Sequence, residues 1–195
     1  SPEARGYSRD SSHIPSRPYS RLVTPISRRS WPETPLHERL RWVRAFRKSV
    51  ASHERELSAL VSAEVGKPRF EALTGDVTPL LAACRWVESN AGRVLSEKRI
   101  RGTPFWMTGT SVVCFRAPLG DVAIIATWNY PLQLLGVQII HALVAGNRVS
   151  VKPSERAPRS QYRLLELAVE SGLPPDTLQW TAATREAGPV LLRSG

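Results

Sequence analysis

The chain has 195 residues, 42% of them hydrophobic, with 27 Lys+Arg against 17 Asp+Glu, a formal charge of +10 and two cysteines. That is enough apolar content for one domain with a buried core. Cys84 and Cys114 are too few for a disulfide scaffold, and no apolar run approaches the roughly 20 residues that cross a bilayer. Collagen, coiled coil and membrane span are excluded, whereas the charge, carried by 23 Arg and 4 Lys, keeps nucleic acid or an anionic surface open as a partner.

Residues 1–30 hold six Arg, eight Ser and two acidic residues, with Pro2, Pro15, Pro18 and Pro25 scattered through them. No helical or alternating pattern survives there, and a disordered basic arm is expected. The composition also resembles an organelle transit peptide, but Glu3 and Asp10 and the lack of an amphipathic stripe count against that, so a cytoplasmic protein is expected. A DNA-binding arm is the lesser reading, because no aromatic residues alternate with the arginines as a base-stacking surface requires.

From Leu36 to Val65, apolar residues at 36, 40, 43, 46, 50, 57, 60 and 61 keep close to a 3.6 period, which predicts one long helix. Thr34-Pro35 supplies a cap and a first-turn proline, and Gly66-Lys67-Pro68 supplies the stop. A second helix is expected over 70–94, with Leu73, Val77, Leu80, Leu81, Cys84 and Val87 inward and Pro79 forcing a kink or a late start. Arg39, Arg41, Arg44, Arg47 and Lys48 fall mostly on the polar face and read as a solubilising surface. Two short strands, at 103–107 and 111–115, should then form a hairpin or arm through Thr108-Gly109-Thr110 over about residues 100–117. Cys114 lies in the second strand, expected as a small buried residue rather than a nucleophile.

Residues 118–158 carry the most information. Asp121-Val122-Ala123-Ile124-Ile125-Ala126 is short and nearly all apolar, as suits a strand buried on both faces of a parallel sheet. Thr127-Trp128-Asn129-Tyr130 interrupts it, Pro131 opens a helix to Val144 closed by Gly146-Asn147, and Arg148-Val149-Ser150-Val151 makes the next strand before Lys152-Pro153. Strand, helix, strand in about thirty residues is a parallel crossover. Ligands in such sheets bind beyond the carboxyl ends of the strands, so Thr127-Trp128-Asn129 and Lys152-Pro153-Ser154-Glu155 should meet on one edge. A carboxamide and an indole would face a cation and a carboxylate suited to ribose hydroxyls. G-x-G-x-x-G is absent, so the residues by themselves indicate only a nucleotide-type site.

In this order and spacing, Ala117-Pro118-Leu119-Gly120, Thr127-Trp128-Asn129-Tyr130-Pro131, Ala145-Gly146-Asn147 and Val151-Lys152-Pro153-Ser154-Glu155 resemble the aldehyde dehydrogenase family. Glu64-Val65-Gly66-Lys67-Pro68 and Ser171-Gly172-Leu173-Pro174-Pro175 are similar to the family's turns as well, so the resemblance runs from about residue 35 to the end. Tyr130 in place of the commoner Phe is similar to the branch acting on fatty and aromatic aldehydes.

The resemblance implies an α/β fold, a Rossmann-like parallel sheet with crossover helices, incomplete and preceded by two long helices. Residues 31–195 would be the N-terminal part of a cofactor-binding domain. It implies oxidation of an aldehyde substrate to an acid through a thioester, with NAD as cofactor and NADP as an alternative, in a full-length form that is a homo-oligomer. Asn129 would donate to the oxyanion. Lys152 and Glu155 would hold the adenosine ribose, Ser154 would bind the cofactor from the same turn, and Ala126, Thr127 and Trp128 would line the cleft. The family's nucleophilic cysteine, catalytic glutamate and glycine-rich turn would all lie beyond Gly195, and Thr181-Ala182-Ala183 stands where the family more often has Gly. An inactive piece of a dehydrogenase is therefore expected, with a non-catalytic nucleotide-binding or interaction module and a nucleic-acid-binding protein as the alternatives.

Overall fold

The protein is described by a computed structural model covering residues 30–100, 104–107 and 109–193. Apart from Ser30, the expected basic arm lies outside these residues. The chain starts with a 3-10 turn, Trp31–Glu33, followed by α1 (Leu36–Ser52) and α2 (Glu54–Val65). Thr34 does not cap α1. Its hydroxyl turns back to the Ser30 carbonyl at 3.2 Å, closing the 3-10 turn, and Pro35 takes the flanking position.

The single helix expected over 36–65 is broken at His53, whose φ of −107° and ψ of 17° leave the helical region. The Ser52 hydroxyl and the His53 ring both turn to the Ser49 carbonyl, local side-chain bonding that competes with the helical ladder. α2 then stops at Gly66, whose φ of +78° is the left-handed cap the glycine signals.

α3 (Arg69–Ala72) continues through a π-helical turn, Leu73–Val77, into α4 (Thr78–Leu95). Pro79 has no N–H for the carbonyl of Gly75 and its ring crowds that carbonyl. The helix responds by widening one turn rather than breaking. Within the widened turn, Asp76 is fully buried.

An antiparallel arm follows, β1 (Lys98–Ile100) against β2 (Val112–Cys114), with Ile100 opposite Val112. Its first strand lies upstream of the expected one: Phe105–Met107 is a 3-10 turn in which the Met107 N–H bonds the Pro104 carbonyl. Pro104 has no N–H to give a ladder. Both strands of the arm are exposed, and Cys114, expected to be buried, is exposed with them.

The main sheet has the order β3-β4-β5, all parallel, from Asp121–Ile125, Arg148–Lys152 and Leu178–Trp180. α5 (Gln133–Val144) connects β3 to β4, α6 (Pro158–Glu170) connects β4 to β5, and α7 (Ala187–Arg193) follows. This is the expected α/β arrangement. β3 is not buried on both faces, however. Val122 and Ile124 pack into the core, while Asp121, Ala123 and Ile125 stay exposed at an edge strand. α5 begins two residues after Pro131, and among the described residues no helix is long and apolar enough to cross a membrane.

The N-terminal helices grip the crossover helices at both ends. Trp31 Nε1 and Arg39 Nη1 donate to the carbonyls of Leu143 and Val144 at the end of α5, at 2.8 and 2.6 Å. Trp42 Nε1 donates to the Ala168 carbonyl near the end of α6 at 2.9 Å, and its ring stacks on Phe46. At the other ends, Asp76 accepts from the N–H groups of Leu132 and Gln133, and Glu64 accepts from those of Arg159 and Ser160 at 2.6 and 2.8 Å. Each carboxylate faces the positive end of a helix dipole. Gly136 lets α5 approach α4 closely, because a Cβ there would stand 2.5 Å from Leu80 Cδ1.

Arg44 and Arg47 are not merely solubilising. Both reach Glu88 across the α1–α4 contact. Burial alone would raise the Glu88 carboxyl, but the hydrogen bonds from Arg47 and Arg44 outweigh it and hold the group below its usual range.

Two outcomes follow for stability. Trp42→Phe keeps the ring stack but leaves the buried Ala168 carbonyl without its donor. Urea denaturation is expected to show a loss of about 1–3 kcal/mol. The depressed Glu88 carboxyl contributes stability that is complete above the ordinary carboxylate value and is lost as pH falls through its lower folded value. In unfolding titrations below the ordinary carboxylate value, Glu88→Gln should therefore lose stability less steeply with falling pH than the parent.

Candidate functional site

Ile125 and Lys152 stand directly opposite each other at the carboxyl ends of β3 and β4, and the Ala126 N–H extends the ladder to the Lys152 carbonyl at 3.0 Å. The two polar turns, 127–130 and 153–156, therefore emerge side by side, as expected. Arg156 bridges them at the surface, its guanidinium 4.9 Å from the centre of the Trp128 ring.

On the second turn, Lys152 is buried and its Nζ donates to Oε1 of Glu155, whose side chain is 43% exposed. The hydrogen bond from Lys152 holds the Glu155 carboxyl below its usual range, with a further contribution from the charge of Arg185. An ionised carboxylate backed by an ammonium can accept from one hydroxyl while the cation donates to another. That suits vicinal ribose hydroxyls. Ser154 is turned inward instead: its hydroxyl accepts from the Arg156 N–H at 3.3 Å, closing the turn.

The first turn is held through its backbone. Lys67 Nζ donates to the Asn129 carbonyl at 2.8 Å and to Asp76 Oδ2 at 2.9 Å, and it lies 4.2 Å from the centre of the Tyr130 ring. Gly75 lets that ring approach, since a Cβ there would lie 3.2 Å from Tyr130 Cε1. Gln161 Nε2 donates to the Thr127 carbonyl at 2.7 Å and to the Pro131 carbonyl at 3.2 Å. The Asn129 main chain is thus pinned, while its side-chain carboxamide is exposed and has no hydrogen-bond partner among the described residues. It can donate to a substrate oxygen.

Sequence reasoning named the residues of these turns except Arg156, missed Asp76, and gave Lys67 as part of a stop signal and of a turn similar to the family's. The signal available for Asp76 was an acidic residue on a helix interrupted by Pro79. Gln161 carried no signal of its own on α6. Cys84 sits in the helical core, where burial pushes its thiol up to about 12, and Cys114 is on the arm. Among the described residues no group of three or more His, Cys, Asp or Glu could hold a metal ion.

Known proteins resemble the chain in sequence and in fold. Residues 26–194 match the aldehyde dehydrogenase family. The chain belongs to that family. It is 31% identical over 162 residues to the 4,4'-diapolycopene aldehyde oxidase of Methylomonas sp, which covers 83% of this chain and 31% of that protein. It is 36% identical over 143 residues to the NADP/NAD-dependent aldehyde dehydrogenase PuuC of Escherichia coli, covering 73% and 28%. Among solved structures it is similar to the Mycobacterium tuberculosis aldehyde dehydrogenase complexed with NAD+, at a TM-score of 0.74 and 30% identity over 83% of this chain and 32% of that one. The chain thus spans 31% and 28% of the length of these two curated relatives. The family uses NAD(P), and the parallel sheet with its crossovers is the Rossmann-like cofactor fold of aldehyde dehydrogenases.

Asp76→Ala removes the partner of Lys67 and the acceptor of the Leu132 N–H together. Urea denaturation is expected to show a loss of about 3 kcal/mol, on the scale of a broken buried ion pair. Asp76→Asn, which keeps an acceptor for that N–H, should lose less.

Proposed function

We propose that residues 31–195 form the N-terminal portion of the cofactor-binding domain of an enzyme that oxidises an aldehyde to a carboxylic acid with NAD or NADP. The observation that carries this is the register of Ile125 against Lys152, which sets a carboxamide turn beside a lysine–glutamate pair. Lys152 and Glu155 would hold the adenosine ribose. Ala126, Thr127 and Trp128 would line the cleft between them and Asn129, and Ser154 would shape the turn. The nicotinamide, when bound, supplies the hydride acceptor.

Asn129 acts on the substrate side. Its Nδ2–H donates to the carbonyl oxygen as negative charge grows there, and a donor of this kind is typically worth about 2.7–4 kcal/mol in the transition state. The Lys67 and Gln161 bonds to the adjoining carbonyls hold that donor in place before reaction. The attacking cysteine is neither Cys84 nor Cys114. At a value of about 12 the Cys84 thiol yields almost no thiolate at neutral pH, and Cys114 lies in β2 of the arm, outside both polar turns. The 195-residue chain alone should therefore oxidise no aldehyde. Release of NADH on mixing it with aldehyde and NAD would overturn this part.

Titrating the chain with NAD and NADP tests the nucleotide site. Glu155 as a carboxylate meets a 2′-phosphate as a like charge, although Lys152 and Arg185 offset part of that charge. Glu155→Ser should raise the affinity ratio of NADP to NAD, and Lys152→Ala should weaken both. An unchanged ratio means that Glu155 does not face the ribose. In a full-length enzyme carrying this region, Asn129→Ala should cut turnover about 10²–10³-fold with little change in cofactor affinity, measured by steady-state kinetics.

A further inference from the structure

Gln161 lies in the first turn of α6 and is fully buried. Its carboxamide is shared between the two turns of the site. Nε2 donates to the carbonyls of Thr127 and Pro131, which flank Asn129 on both sides, and Oε1 accepts from the Ser154 N–H at 2.7 Å, between Lys152 and Glu155. Beyond Ala126 the ladder between β3 and β4 has ended. Gln161 and the surface contact of Arg156 with Trp128 then carry the polar contacts between the two turns among the described residues.

We propose that Gln161 is a positioning residue that couples the lysine–glutamate turn to the Asn129 turn, so that a ribose held by Lys152 and Glu155 sets the placement of the Asn129 carboxamide. This rests on the nucleotide reading above. The chemistry of the side chain is specific to the task. Two donors and one acceptor are needed in one rigid plane, and a carboxamide supplies them. A leucine has neither, a lysine cannot accept from Ser154, and a carboxylate would set negative oxygen against two carbonyls. A ribose that draws on Glu155 moves the turn carrying the Ser154 N–H. That movement passes through Oε1 and Nε2 of one planar group to both carbonyls around Asn129.

The test uses the whole chain labelled with nitrogen-15 and titrated with adenosine monophosphate, which carries the ribose but no nicotinamide to touch Asn129. In the parent chain, resonances of Ser154–Arg156 and those of the Asn129 side-chain amide and the Leu132 N–H should all move, with one dissociation constant. In Gln161→Met, similar in size but without the hydrogen bonds, the Ser154–Arg156 shifts should remain and those at Asn129 and Leu132 should be lost. Retained shifts at Asn129 in Gln161→Met overturn the coupling. So do parent-chain shifts confined to Ser154–Arg156, which leave the nucleotide site standing. No shift anywhere in the parent chain overturns the nucleotide site and the coupling with it. Gln161→Glu, which keeps an acceptor for Ser154, provides the same comparison should the methionine variant fail to fold, and retained Asn129 shifts in it likewise overturn the coupling.

Discussion

A helix packed on a sheet buries end groups that its own hydrogen bonds cannot satisfy, and α5 and α6 meet this constraint with side chains from elsewhere in the chain. Carboxylates arrive at the two N-termini, Asp76 for α5 and Glu64 for α6, and donors arrive at the two C-termini, Trp31 and Arg39 for α5 and Trp42 for α6. Each contact matches the sign of the helix dipole at that end. Long-range polar bonds, in addition to the apolar core, therefore fix how the helical layer sits on the sheet. The positions of the turns after β3 and β4 follow from that seating.

The same arrangement explains why the ordinary dinucleotide fingerprint is absent. In the G-x-G-x-x-G fold, glycines clear a path for pyrophosphate to reach a helix N-terminus. Here Leu132 and Gln133 at the start of α5, and Arg159 and Ser160 at the start of α6, already give their N–H groups to protein carboxylates, which would repel phosphate. Glycines at those turns would have nothing to admit. The turns carry side chains suited to a ribose and to a carbonyl oxygen instead, and their backbone is held in place by protein groups.

Much of this was legible in the sequence, for identifiable reasons. The β3–α5–β4 unit announces itself because its apolar runs are short, bounded by Gly146-Asn147 and Lys152-Pro153, and too brief to be anything but strands around one helix. The strand-end residues were recoverable because parallel topology brings the carboxyl ends together. What failed were judgements that depend on competing side-chain bonds or on distant partners. The break at His53 comes from side chains bidding for the Ser49 carbonyl, which a 3.6 period cannot register. Asp76 was invisible because its partners are 9 and 56 or 57 residues away. The exposure of Cys114 depends on what lies against the arm, and β propensity says only that the segment is extended.

The Asn129 turn combines two properties that usually oppose each other. In the proposed role the Asn129 side chain reaches a substrate and so has to be exposed, and exposed loops are the segments that move most. The chain separates the two requirements between side chain and backbone. Lys67 holds the Asn129 carbonyl, Gln161 holds those of Thr127 and Pro131, and Asp76 holds the Leu132 N–H, so the main chain from 127 to 132 is bonded on both flanks while the Asn129 side chain stays exposed. Ordering cost is then incurred before the chemical step, which is the condition for a donor to act on a developing charge without reorganising first. Two of the three anchors are an ammonium and a carboxylate bonded to each other. Their bond ties the backbone geometry of an exposed turn to a buried ion pair in the widened helical turn that Pro79 imposes.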